Sequence, residues 1–144
     1  MVNDDTIELL KQCNAGIKMG ISSIDEVLPM VSNEELKRKL EKCKNEHMQL
    51  EDETRNILKD YSDDGEEPNA MAKAMSWIKT NVMMTFKPED ETISDLMTDG
   101  CNMGVKSLNK YLNQYSAAEE KVKNITKKLI NLEEKLAVDI RKYL

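Results

Sequence analysis

Residues 118–140 read AEEKVKNITKKLINLEEKLAVDI, and this stretch decides the fold class. Apolar side chains recur at Ala118, Val122, Ile125, Leu129, Leu132, Leu136 and Ile140, three or four residues apart, with lysines and glutamates between them. That spacing follows the turn of an α-helix and lays one apolar stripe along an otherwise solvated rod. Such a rod must bury its stripe against other elements. The remaining sequence offers more helices of the same kind.

Upstream, Ile93, Leu96, Gly100, Met103, Gly104, Ser107, Tyr111 and Tyr115 mark a helix with an unusually small middle. The acidic run Glu89 to Glu91 introduces it and suits the positive end of a helix dipole. At the start of the chain, Ile7, Leu10, Asn14, Ile17, Ile21, Ile24 and Leu28 give a first helix, with Asp5 or Thr6 as its expected N-cap and Pro29 to Val31 as its stop. Leu36, Leu40, Cys43, His47, Leu50, Thr54 and Ile57 give a second, with Ser32 as the expected cap and Glu35 placed for a capping box. Residues 61–69, YSDDGEEPN, form the one linker, after which Met71, Met75, Ile78 and Val82 mark a shorter helix with Trp77 on its flank. The pattern predicts a single domain over 1–144, with helices over about 5–29, 33–60, 69–86, 89–115 and 117–143. Two long helices, a short crossover helix and two more long helices describe an all-α four-helix bundle with one long crossover between helices 2 and 3.

At 144 residues the chain can bury a core without disulfides or a structural metal. Its three cysteines, Cys13, Cys43 and Cys101, fit no closed disulfide framework. The formal charge of −6 is mixed along the helices, so no electrostatic footprint for nucleic acid is present, and no apolar run reaches membrane-spanning length. Met1 to Thr6 are polar and acidic and carry no secretory pattern, so a cytoplasmic location with reduced thiols is expected.

Three phrases carry a family resemblance: LKRKLEKCKNEHMQLEDE over 36–53, AMSWIKTNV over 74–82 and DGCNMGVKSLNKYL over 99–112. With the order of elements, they resemble a group of small bacterial ferritin-like proteins of unknown function labelled DUF2383, and more distantly the stress-associated ferritin-like proteins. The resemblance implies a ferritin-like bundle and a bacterial cytoplasmic origin. By analogy alone it implies a place in stress or sporulation physiology, and it implies no established reaction.

Ferritin-like di-iron centres need a Glu from each of two helices and a Glu-x-x-His pair from each of the other two. On the second helix His47 lies on the stripe, but Lys44 stands three residues before it. The last helix has Lys128 and Asn131 at that spacing, the first offers Asn14, and the third offers Gly100 and Gly104. The reading is therefore a bundle that has lost its di-iron ligands, binds no cofactor, and serves as a non-catalytic structural or interaction protein for an unknown protein partner or for copies of itself. Counting depth from the helix ends puts Asn14, His47, Gly104 and Leu129 at one level, with Gly100 nearby. The expected buried polar layer is Asn14, His47, Gly100 and Gly104, with a neutral His47 bonded to Asn14 or to a trapped water and the glycines giving the imidazole room. An alternative reading is a metal site of zinc, copper or, less readily, iron on Cys43, His47 and Cys101, because Cys43 and His47 share a helical face and thiolate with imidazole suits soft cations. Glu46 and Glu133 are read as pointing outward. No nucleophile elbow or phosphate loop is legible. Ten methionines serve as gap fillers and as material for an adaptable surface.

Overall fold

A computed structural model describes residues 3–61 and 89–144. The crossover helix expected over 69–86, with Trp77, lies outside the described residues. Four α-helices run through the rest: α1 at Asp4–Val27, α2 at Glu34–Asp60, α3 at Asp90–Gln114 and α4 at Glu120–Ile140. The chain is thus an all-α four-helix bundle across the described residues. Both α1 and α4 end in a tight 3₁₀ turn, at Leu28–Met30 and Arg141–Tyr143, which is why they stop short of the predicted ends at 29 and 143. Pro29 cannot donate to the preceding carbonyls, so the α-helical ladder cannot continue through it.

The caps differ from expectation by one to three residues. Asn3 caps α1, its side chain accepting from the Thr6 backbone N–H at 2.8 Å and the Thr6 hydroxyl at 2.9 Å. Asn33, not Ser32, caps α2 by accepting from Glu35 and Leu36 N–H. Asparagine serves both sites because its carbonyl reaches the unpaired amides of the first turn. The Ser32 N–H instead donates to the Asp90 carboxylate at 2.8 Å, as Asn33 N–H does at 2.9 Å, so the α1–α2 turn is tied to the start of α3.

At this end of the bundle Lys142 also pairs with Glu35, and the Lys39 ammonium donates to the Asp139 carbonyl. At the other end the Asn3 amide donates to the Ala117 carbonyl, and Glu119 N–H donates to the Thr6 hydroxyl. These ties fix the directions: α1 and α4 run one way, α2 and α3 the other. Asp60 and Asp90 consequently lie at opposite ends.

The interior falls into three apolar clusters along the axis. One end holds Ile24, Leu36, Leu40, Ile93, Leu136 and Ile140 among others, together with Cys43 and Cys101. The middle holds Ile17, Leu50, Leu108, Ile125, Leu129 and Ile130. The far end holds Leu9, Leu10, Leu58, Ala118 and Val122. Among the described residues no helix is long and apolar enough to cross a membrane.

Candidate functional site: a buried Cys–His–Glu layer

Between the first two clusters each helix contributes one position that is not a bulky apolar residue. On α2 the sequence passes from Cys43 in one cluster to Leu50 in the next, and His47 stands between them. On α4 Glu133 stands between Leu136 and Leu129, on α3 Gly104 between Cys101 and Leu108, and on α1 Gly20 between Ile24 and Ile17. The layer is made of two small–large pairs. A Cβ on Gly20 would sit 2.7 Å from both Cδ2 and Nε2 of His47, and one on Gly104 would sit 3.5 Å from Cδ of Glu133. The imidazole thus lies against the bare backbone of α1, and the carboxyl lies beside that of α3.

This arrangement corrects the predicted polar layer. His47 and Gly104 belong to it. Asn14 is buried but six residues from Gly20, about 9 Å along α1, and His47 takes Cys43 and Glu133 as partners instead. Leu129 packs in the middle cluster and lies 3.4 Å from where a Gly16 Cβ would be. Gly100 gives the imidazole no room, since nothing lies within 4 Å of its would-be Cβ. Glu133, read as outward-facing, turns in: its side chain is 13% exposed, and Oε1 lies 3.3 Å from His47 Nε2. Its signal was present in the sequence. Val122, Thr126, Leu129, Glu133, Leu136 and Ile140 alternate steps of four and three, a stripe as regular as the one drawn through Ile125 and Leu132. Glu133 and Thr126 were passed over because they are polar.

The electrostatics follow from what surrounds the ring. His47 is 1% exposed. Nδ1 lies 2.8 Å from the Cys43 carbonyl and 3.5 Å from the Cys43 sulfur, while Nε2 faces the Glu133 carboxylate. Both ring nitrogens therefore face acceptors, which suits a ring carrying both protons. Burial opposes that charge, but the hydrogen bonds to Cys43 and Glu133 and their negative charge outweigh it and raise the pKa from 6.5 to about 10. The surroundings thus favour the protonated ring.

Cys101 lies on the carboxylate side of the layer. Burial raises its thiol pKa first, and the charge and hydrogen bonding of Glu133 raise it further. Cys13 is elsewhere, hydrogen-bonded to the Thr126 hydroxyl, and burial pushes it up to about 12.

Compared with protein-family models, curated proteins and solved structures, the chain finds no match. Its chemistry is read from its own residues.

A di-iron centre does not fit this layer. Glu133 joins His47 as the only inward Glu and His of the layer, and the level on α1 and α3 is held by glycines, which donate nothing. Among the described residues no three of His, Cys, Asp and Glu are placed to hold a metal ion. Cys43 meets the ring at Nδ1, and Cys101 lies by the Glu133 carboxylate that faces Nε2.

Two openings flank the layer. Between α1 and α3 a cleft of about 120 Å³ is lined by Ala15, Gly16, Met19, Met103 and Tyr111, with Glu133 also in its wall. Between α2 and α4 a groove of about 170 Å³ is lined by Lys39, Lys42, Cys43, Glu46, Lys135 and Asp139.

Proposed function

We propose that the protein is a ferritin-like bundle in which a buried imidazolium–carboxylate pair has replaced the metal centre, and that it acts as a non-catalytic structural or interaction protein. The observation that carries the reading is the layer itself: Gly20, His47, Gly104 and Glu133 fill the depth where carboxylate and imidazole ligands would be needed, and the one acid and one base present neutralise each other. The helix directions support the ferritin-like assignment. With α1 parallel to α4, α2 parallel to α3, and Asp60 and Asp90 at opposite ends, the connectivity is that of a bundle with one long crossover. The resemblance to the DUF2383 group points the same way.

Elemental analysis of protein purified without an affinity metal column tests the reading. Wild type, His47→Ala and Glu133→Ala are expected to carry no stoichiometric iron, zinc or copper. A stoichiometric metal in wild type that is lost in either variant overturns the proposal and restores the metal-binding alternative.

A further inference from the structure

The three thiols sit in different surroundings. Cys13 is 0% exposed and Cys101 2%, and neither lines an opening described above. Cys43 lines the α2–α4 groove, with its sulfur 3.5 Å from His47 Nδ1. His47 is in turn held at Nε2 by Glu133, so a nucleophile, an imidazole and an orienting carboxylate follow one another across the core. The groove in front of the sulfur carries three lysines, Lys39, Lys42 and Lys135, against two carboxylates, Glu46 and Asp139. The His47–Glu133 pair behind the sulfur is neutral overall, so the excess of one positive charge at the groove comes from its lysines, on a chain of formal charge −6.

The setting also limits the chemistry. Cys43 lies inside α2, where backbone amides are committed to the helical ladder, so no donors are free to stabilise the oxyanion of an acyl transfer. Thiol–disulfide exchange needs no oxyanion hole. It needs a sulfur nucleophile and access to it, and Cys43 lines the groove.

We infer that Cys43 is a nucleophilic thiol held between the His47–Glu133 pair and a lysine-lined groove, and that it takes up anionic low-molecular-weight thiols by exchange with their disulfides. The Cys43 sulfur, its proton released to solvent in the groove, attacks one sulfur of the disulfide. A new S–S bond forms as the old one breaks, and the bonding pair leaves with the second sulfur as a thiolate. Cys43 is oxidised to the mixed disulfide and half of the incoming disulfide is reduced. The lysines hold the anionic tail, and a second exchange with free thiol reverses the step.

The test compares two methanethiosulfonates with the same leaving group, one with a sulfonate tail and one with a trimethylammonium tail, on the folded full chain, alongside glutathione disulfide. Peptide mass spectrometry is expected to find the adduct on Cys43 with Cys13 and Cys101 unmodified, and the anionic reagent should react about tenfold faster than the cationic one. Lys42→Glu with Lys135→Glu, two exposed positions, should abolish or reverse that preference, and His47→Gln should slow both reagents alike. Equal rates for the two reagents, a preference untouched by the lysine changes, first reaction at Cys101 or Cys13, or Cys43 reacting only in denaturant would each overturn the inference.

Discussion

Replacing Gly20 with alanine sets two magnitudes against each other. On helix propensity alone the change gains about 1 kcal/mol, because glycine is a poor residue in a helix interior. The new Cβ, however, would stand 2.7 Å from two atoms of an imidazole that is 1% exposed and held at both nitrogens. Overpacking a rigid core costs about 1–3 kcal/mol. Pushing the ring off Glu133 leaves a buried charge short of a partner, which costs about 1–3 kcal/mol more. Middle values leave a net loss of about 3 kcal/mol, or roughly 9 °C in Tm for a chain of this length. The control is Gly100→Ala in α3, where nothing lies within 4 Å of the added methyl. It should raise Tm by about 3 °C from propensity alone. Thermal and urea unfolding of both variants, repeated in a His47→Ala background, give the answer. There Gly20→Ala should become neutral or stabilising, since the two changes share one contact. The reasoning fails if Gly20→Ala melts at or above wild type, or if its cost survives removal of the imidazole.

The raised pKa of His47 makes stability depend on pH with a definite sign: the folded state holds its proton more tightly than the unfolded chain, so the contribution is fully present below 6.5 and is lost as pH rises toward about 10. Urea midpoints measured from pH 6 to about 8.5, below the ordinary thiol pKa of 9.0, should fall with pH in wild type and stay flatter in His47→Gln. Above that range the raised pKa values of Cys13 and Cys101 add a further loss of the same sign, because the unfolded thiols ionise first. Asp90→Ala removes the acceptor of two backbone N–H groups in the α1–α2 turn and should cost about 1 kcal/mol in urea unfolding, with faster hydrogen exchange at Ser32 and Asn33.

The four long helices were legible because each carries a largely apolar stripe at helical spacing, and helical periodicity is a local property that survives any packing arrangement. The ends were legible to within three residues; the differences lie in cap chemistry at Asn3 and Asn33, whose neighbours could also cap, and in the 3₁₀ turns that close α1 and α4. Cys43 and His47 were placed on one face by their spacing alone. Cys101, expected from the third helix in the same region as Cys43 and His47, shares a core cluster with Cys43.

The layer's composition needed the tertiary structure. Depth along four helices depends on their relative offset, and an error of one or two turns put Asn14 in the place of Gly20 and Leu129 in the place of Glu133. A carboxylate on a stripe reads as solvent-facing, because burying a charge without a partner is prohibitive. Only the packing supplies that partner, from a helix 86 residues away in sequence. The sequence by itself determined the helices and their amphipathic faces, since these depend on residue type and short-range spacing. The meeting of His47 with Glu133, the room made by Gly20, and the place of the buried Cys43 in the wall of a lysine-lined groove were decided by how the helices slide and rotate against one another, which no local pattern encodes.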